Sequence, residues 1–223
     1  MPLKEVYQDQ PEPNFASYDF FDLVTGIGYK TFYAGDVNST SGSEIVSDKV
    51  LRTNDFYADV GFTMSGAAGA HDNKAYEINF DLPIEKQFTI KGRAVANVPI
   101  LYQLNGTGPV QCTIKGSIYK VTDGTESVIA SGATYHIQVI TDSAGTNWPS
   151  AVEMTLPKTT LKVNDLLRLK VETTAPGADR ATAVIHDPKN RTDLQMTTTP
   201  FGHGTITLST PTALTLNLPI RIQ

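Results

Sequence analysis

Charged and apolar residues alternate one by one near the middle of the second half of the chain: Leu167, Leu169 and Val171 hold one parity, and Arg168, Lys170 and Glu172 the other. Successive side chains of a strand point to opposite faces, so this pattern makes one apolar and one charged surface, whereas a helix would spread the charges around its whole circumference. The segment reads as a half-buried antiparallel strand. It lies in one of only two windows of 18 residues, 43–60 and 158–175, that contain neither Gly nor Pro, so long helices have little room. The composition leans the same way: 28 Thr, 16 Val and 15 Ile supply β-branched side chains, which are stiff at χ1 and fit a pleated surface better than a helix.

The alternation recurs. Val110, Cys112, Ile114, Gly116 and Ile118 oppose Gln111, Thr113, Lys115 and Ser117. Leu214, Leu216, Leu218, Ile220 and Ile222 alternate with Thr215, Asn217, Pro219 and Arg221, and Pro219, which donates no ladder hydrogen bond, predicts an edge position or a bulge. Further strands are expected near 27–34, 55–64, 75–82, 86–104, 126–130, 133–141, 151–156, 180–186 and 204–209. Asp123-Gly124 and Ser131-Gly132 predict hairpin turns between the runs they separate. Ser41 and Glu44 have capping-box spacing and offer a short helix in the first window, but the run continues into Phe56, Tyr57, Val60 and Phe62, which favours a strand. Short strands with polar turns predict an all-β, antiparallel two-sheet sandwich of jelly-roll type. The expected organisation is an extended aromatic-rich arm over 1–26 and a single sandwich domain over 27–223.

Residues 1–26 differ from the rest. Pro2, Pro11 and Pro13 break regular structure, yet eight of the 19 aromatic residues lie in the first 33 positions. Exposed rings cost solubility without repaying the entropy of ordering, so the arm is expected to dock, either along its own sandwich or across a neighbouring subunit. Phe15, Tyr18, Phe20 and Phe21 are the candidate subunit contacts. The first 20 residues carry Glu5, Asp9, Glu12 and Asp19 and no long apolar run, which predicts no secretory leader. No stretch approaches a bilayer span, and a net charge of −5 without Lys or Arg clusters disfavours direct nucleic-acid or membrane binding.

Few residues suggest chemistry. The four imidazoles, His71, His136, His186 and His203, lack ligand spacing, and Thr205 stands where a cupin-like metal site beside His203 would need a second His. His186-Asp187-Pro188 reads as a strand end with Asp187 capping the turn. Cys112 shares its parity with Val110 and Ile114 and reads as a buried small hydrophobe. Neither a nucleophile elbow nor a phosphate-binding glycine loop is present. No catalytic residue, metal or cofactor is assigned, and the chain is expected not to be an enzyme. Trp148, between Asn147 and Pro149, is expected in a loop, where its ring either stacks on a sugar or anchors the loop.

The phrase Leu156-Pro157-Lys158-Thr159-Thr160-Leu161-Lys162-Val163-Asn164-Asp165-Leu166-Leu167-Arg168-Leu169 resembles the polar turn and following strand of β-sandwich virion structural proteins of tailed bacteriophages, of the capsid decoration type. Gly26-Ile27-Gly28-Tyr29-Lys30-Thr31-Phe32-Tyr33 and His186-Asp187-Pro188-Lys189-Asn190-Arg191 are similar to segments of phage virion proteins as well. Asn164 stands where many such turns have Gly, and Asn also accepts left-handed geometry. The resemblance implies a decoration or cement protein on the capsid surface, made in the host cytoplasm, trimeric, and seated on the major capsid protein. A tail or baseplate component and a carbohydrate-binding module using Trp148 are the alternatives.

Overall fold

The computed structural model describes residues 27–41, 44–53, 76–104, 108–140, 146–174, 180–187, 195–196, 206–207 and 212–221. Among them the chain forms strands β1 (Ile27–Ser41), β2 (Glu44–Arg52), β3 (Tyr76–Pro83), β4 (Phe88–Leu104), β5 (Gly108–Thr122) and β6 (Thr125–Ile140). These are followed by β7 (Thr146–Leu161), β8 (Leu166–Thr174), β9 (Arg180–Val184), β10 (Gln195–Met196), β11 (Ile206–Thr207) and β12 (Thr215–Arg221).

The pairing is nested. β1 pairs with β12, β3 with β8, β4 with β7 and β5 with β6, all antiparallel, so each pair lies inside the previous one along the chain. Rolling such a nested ribbon distributes its strands over two four-stranded sheets, β1-β12-β4-β7 and β3-β8-β5-β6, which is the jelly roll expected from the sequence. β2 links the sheets at one side: it pairs antiparallel with β1 and touches β3 through the parallel pair Val50 and Asp81. β9 runs beside β4 from Ile100 to Leu104, beyond the point where β12 leaves it.

The strand alternation decides what lies between the sheets. Leu167, Leu169 and Val171 from β8, Cys112, Ile114 and Ile118 from β5, Ala94, Ala96, Val98 and Ile100 from β4, and Val152, Met154 and Leu156 from β7 form one buried cluster. Removing a Leu, Ile or Val side chain from water stabilises by roughly 1.5–3 kcal/mol. Turn chemistry holds the register. Asp123 (φ 49°) and Gly124 (φ 76°) form the two-residue hairpin between β5 and β6 that their sequence predicts. Asn164 takes φ 72° in the β7–β8 turn, and buried Asp165 accepts hydrogen bonds from Lys162 N (2.6 Å) and Thr122 Oγ1 (2.6 Å), tying that turn to β5.

Several expectations need correction. Ser131-Gly132 is not a hairpin: the runs near 126–130 and 133–141 are one strand, β6, which passes through Gly132 in extended form. A β-carbon at Gly132 would overlap the Glu153 carbonyl oxygen of β7, so the glycine permits the close approach of the two strands that end the sheet path. Pro219 is not on an edge. β12 lies between β1 and β4, and a register shift between Asn217 and Ile220 accommodates the proline, the expected bulge, opposite Gly92 at φ 123°. In the first long window the described residues Glu44–Arg52 form β2, the strand that the sequence favoured over a helix. The strand expected near 55–64 lies outside the described residues, and of that near 204–209 only Ile206–Thr207, β11, is described.

Gly132→Ala is expected to lower the unfolding free energy by roughly 3 kcal/mol or more, because backbone must move to admit the methyl group. Gly116→Ala should cost less, since its β-carbon meets the Val152 side chain at 3.2 Å and the flexible Met154 side chain at 3.6 Å. Urea midpoints of the two variants check this, and similar midpoints would contradict it.

Candidate functional site

Two features stand out from the ordinary core. The first is a buried polar cluster joining three segments. Asp36 on β1, His186 and Asp187 just past β9, and Thr212 just before β12 are all buried. Asp187 N donates to the Thr212 carbonyl (3.0 Å), and Thr212 Oγ1 donates to Asp187 Oδ2 (3.0 Å). His186 Nδ1 lies 4.0 Å from Asp36 Oδ1, Lys49 Nζ approaches the same oxygen at 3.6 Å, and the imidazole meets the Phe80 ring edge-on with centroids 5.2 Å apart. Burial pushes the His186 imidazole down to about 4, against the opposing pull of Asp36, so the ring is neutral at neutral pH. Asp187 thus reaches a partner 25 residues along the chain, and the turn it was expected to cap lies outside the described residues. The cluster ties β1 to the segments that follow β9 and precede β12.

Cys112 is buried beside its sheet neighbours, and burial pushes its thiol up to about 12, which suits a core residue and not a nucleophile. Among the described residues no group of three or more His, Cys, Asp or Glu side chains gathers to hold a metal.

The second feature is the outer face of the β3-β8-β5-β6 sheet, which divides into two unlike halves. One half is laced by ion pairs: Arg168 with Asp81 (2.6 Å) and Glu126, Lys170 with Glu77 (2.8 Å), and Lys115 with Glu172 (2.7 Å). The other half carries Tyr135, Ile137 and Val139 in a row on β6, respectively 57%, 57% and 60% exposed. Their cross-strand partners on β5 are Thr113, Gln111 and Pro109, so no charge interrupts the row. β6 is the last strand of the sheet path, and among the described residues no further strand is paired to its far side.

Trp148 is not in a loop. It sits in β7 opposite buried Ile100, at the end of the sandwich where the β6–β7 connection lies, with 48% of its surface exposed. Phe15, Tyr18, Phe20 and Phe21, with His71 and His203, lie outside the described residues. The row on β6 was missed because the usual rule is inverted there. Tyr135, Ile137 and Val139 alternate with polar His136 and Gln138, which predicts an apolar parity turned inward, yet Cys112 of the core pairs with His136 and leaves the apolar parity outside.

No family model and no curated protein matches the chain. Among solved structures it is similar to an α-amino acid ester hydrolase, with 10% identity and a TM-score of 0.50 over 86% of this chain and 36% of that chain. It is also similar to a CocE/NonD family hydrolase from Staphylococcus aureus, with 8% identity and a TM-score of 0.43 over 85% of this chain and 37% of that one. The chain therefore spans little more than a third of the length of these hydrolases. The VP2 subviral particle of infectious bursal disease virus matches at 9% identity and a TM-score of 0.23, over 83% of this chain and 45% of that chain, too low a score to carry weight. The likeness to the α-amino acid ester hydrolase speaks to the fold. The expectation that the chain is not an enzyme does not stand, because most of the chain overlays a part of that hydrolase.

The buried groups set the pH dependence. An unfolded chain takes up a proton at His186 near 6.5 and the folded chain only near 4, so stability should fall as pH drops through that window. Burial of Asp165 raises its carboxyl, but hydrogen bonds from Thr122, Lys162 and Lys120 outweigh this and bring it to about 2, so a second loss should follow between 3.8 and 2. Urea midpoints against pH check both, and His186→Gln should flatten the first window alone.

Proposed function

We propose that this chain is an assembly-forming jelly roll of a viral particle, a decoration component seated on the capsid shell and joined to neighbouring copies through the outer face of β6. The observation that carries the assembly reading is the row of Tyr135, Ile137 and Val139. Scattered exposed apolar residues are ordinary, but three in register on one face, with a half-exposed Trp148 at the same end, make the kind of patch that association covers. The viral setting rests on the resemblance of the 156–169 phrase to phage virion proteins. That phrase forms the end of β7, the Asn164 turn and the start of β8, a rigid corner suited to a repeated building unit. Closed symmetry, a trimer by preference, would bury the same patch once per copy.

A second reading is favoured by the overlay of most of this chain on about a third of an α-amino acid ester hydrolase: the sandwich serves as one unit of a larger ester-cleaving protein.

Ile137→Lys and Tyr135→Lys place a charge in the patch without touching the core. Each is expected to weaken self-association by about 100-fold or more, since a few central anchors dominate an interface. Light scattering or sedimentation across a concentration series reads the change. A wild-type chain that stays single at all concentrations would contradict assembly. Turnover of α-amino acid esters by the purified chain, undiminished in the two variants, would favour the second reading.

A further inference from the structure

We infer that the apolar row on β6 is the seat of residues 15–24 of a second copy of this chain, with Tyr18 and Phe20, which share one parity of an extended segment, against Tyr135, Ile137 and Val139. This rests on the assembly reading above and names its contact.

Chemistry and length match. From Asn14 to Thr25 the chain contains neither Gly nor Pro, so every residue can lie extended and every amide can donate. Phe15, Tyr18, Phe20 and Phe21 fall in this stretch, and aromatic rings against aromatic and β-branched neighbours are among the favoured pairs of adjoining strands. Opposite them the row supplies one ring and two branched side chains, on a strand that has no ladder partner on one side among the described residues.

Distance decides which copy provides Phe20 and Phe21. Ile27, where β1 begins, pairs with Arg221; the adjoining Ile220 pairs with Ile90, and Ile90 with Thr159. The segment 15–24 therefore enters the fold at the Ile90 end of the sandwich. The row lies at the other end. β6 approaches β7 where Gly132 faces Glu153, and from there β6 runs on to Ile140 and β7 back to Thr146, which brings Ile137 to the level of Trp148 and its partner Ile100. Ile90 and Ile100 are ten residues apart on β4, roughly 33 Å along a strand. Phe20 precedes Ile27 by seven residues, which span at most about 25 Å even when fully extended. Phe20 and Phe21 thus fall short of Ile137 in their own chain, before any crossing from one sheet to the other. A neighbouring copy has no such limit.

Two differently tagged full-length chains, one Phe20→Cys and the other Ile137→Cys, are expressed together and oxidised; native Cys112 is buried and stays out of the reaction. The expected result is a disulfide joining the two tags, lost when the first chain also carries Tyr18→Asp and Phe21→Asp. In a single chain with both cysteines the link should join chains into larger species. A link closed within one chain overturns the proposal. So does an oligomer that dissociates on Ile137→Lys yet keeps its mass after deletion of residues 1–26, an outcome that leaves the assembly reading intact. A wild-type chain of single mass at tens of micromolar would sink both.

Discussion

The sandwich closes where β6 meets β7, and that closure depends on a hydrogen atom in place of a side chain. Gly132 lets the β6 backbone approach Glu153 closely, and the two terminal strands of the sheet path come together there. Gly116 sits under Val152 and Met154, which brings the β5 and β7 layers into contact, and the nested pairs run from β5–β6 at the inside of the sequence out to β1–β12. Beyond Gly132 the distal half of β6 turns an apolar parity outward.

The outer surface reflects a division of labour. Over β8 and the adjoining halves of β3 and β5, Arg168, Lys170 and Lys115 hold carboxylates on neighbouring strands, a lattice that keeps this part of the sheet wet and discourages another chain from lying on it. Exposed ion pairs contribute little stability individually, about 0.2–1 kcal/mol each, so their placement matters more for what they repel. The lattice stops short of Tyr135. Charged and apolar halves side by side on one sheet define where a partner can sit and where it cannot.

Much of the fold was legible in the sequence. The period-two runs through Leu167–Val171 and Leu214–Leu218 located core strands, and Asp123-Gly124 and Asn164 located turns whose backbone is left-handed as their chemistry requires. Ser131-Gly132 misled because a glycine that admits a neighbouring backbone has the same local spelling as a glycine that turns the chain; only the packed structure separates the two. Trp148 misled similarly, since Gly145 and Pro149 suggest a loop while β7 in fact runs from Thr146 through Pro149, which pairs with Pro99. The β6 row was hidden because which parity faces inward is set by Cys112 and Ile114 on the partner strand, not by hydrophobicity within β6 itself. The His186 cluster was unreadable for a different reason: Asp36 is 150 residues from His186, and Asp187 is 25 from Thr212, so these segments meet only through the roll.

Hydrogen exchange at low and high protein concentration tests most directly whether copies meet on this face. Amides of the distal half of β6, around Tyr135 to Val139, should exchange markedly more slowly in the concentrated sample, while those around the Asp123-Gly124 turn should be unchanged. Exchange at Tyr135–Val139 that is independent of concentration across the range in which the chain self-associates would contradict an interface there.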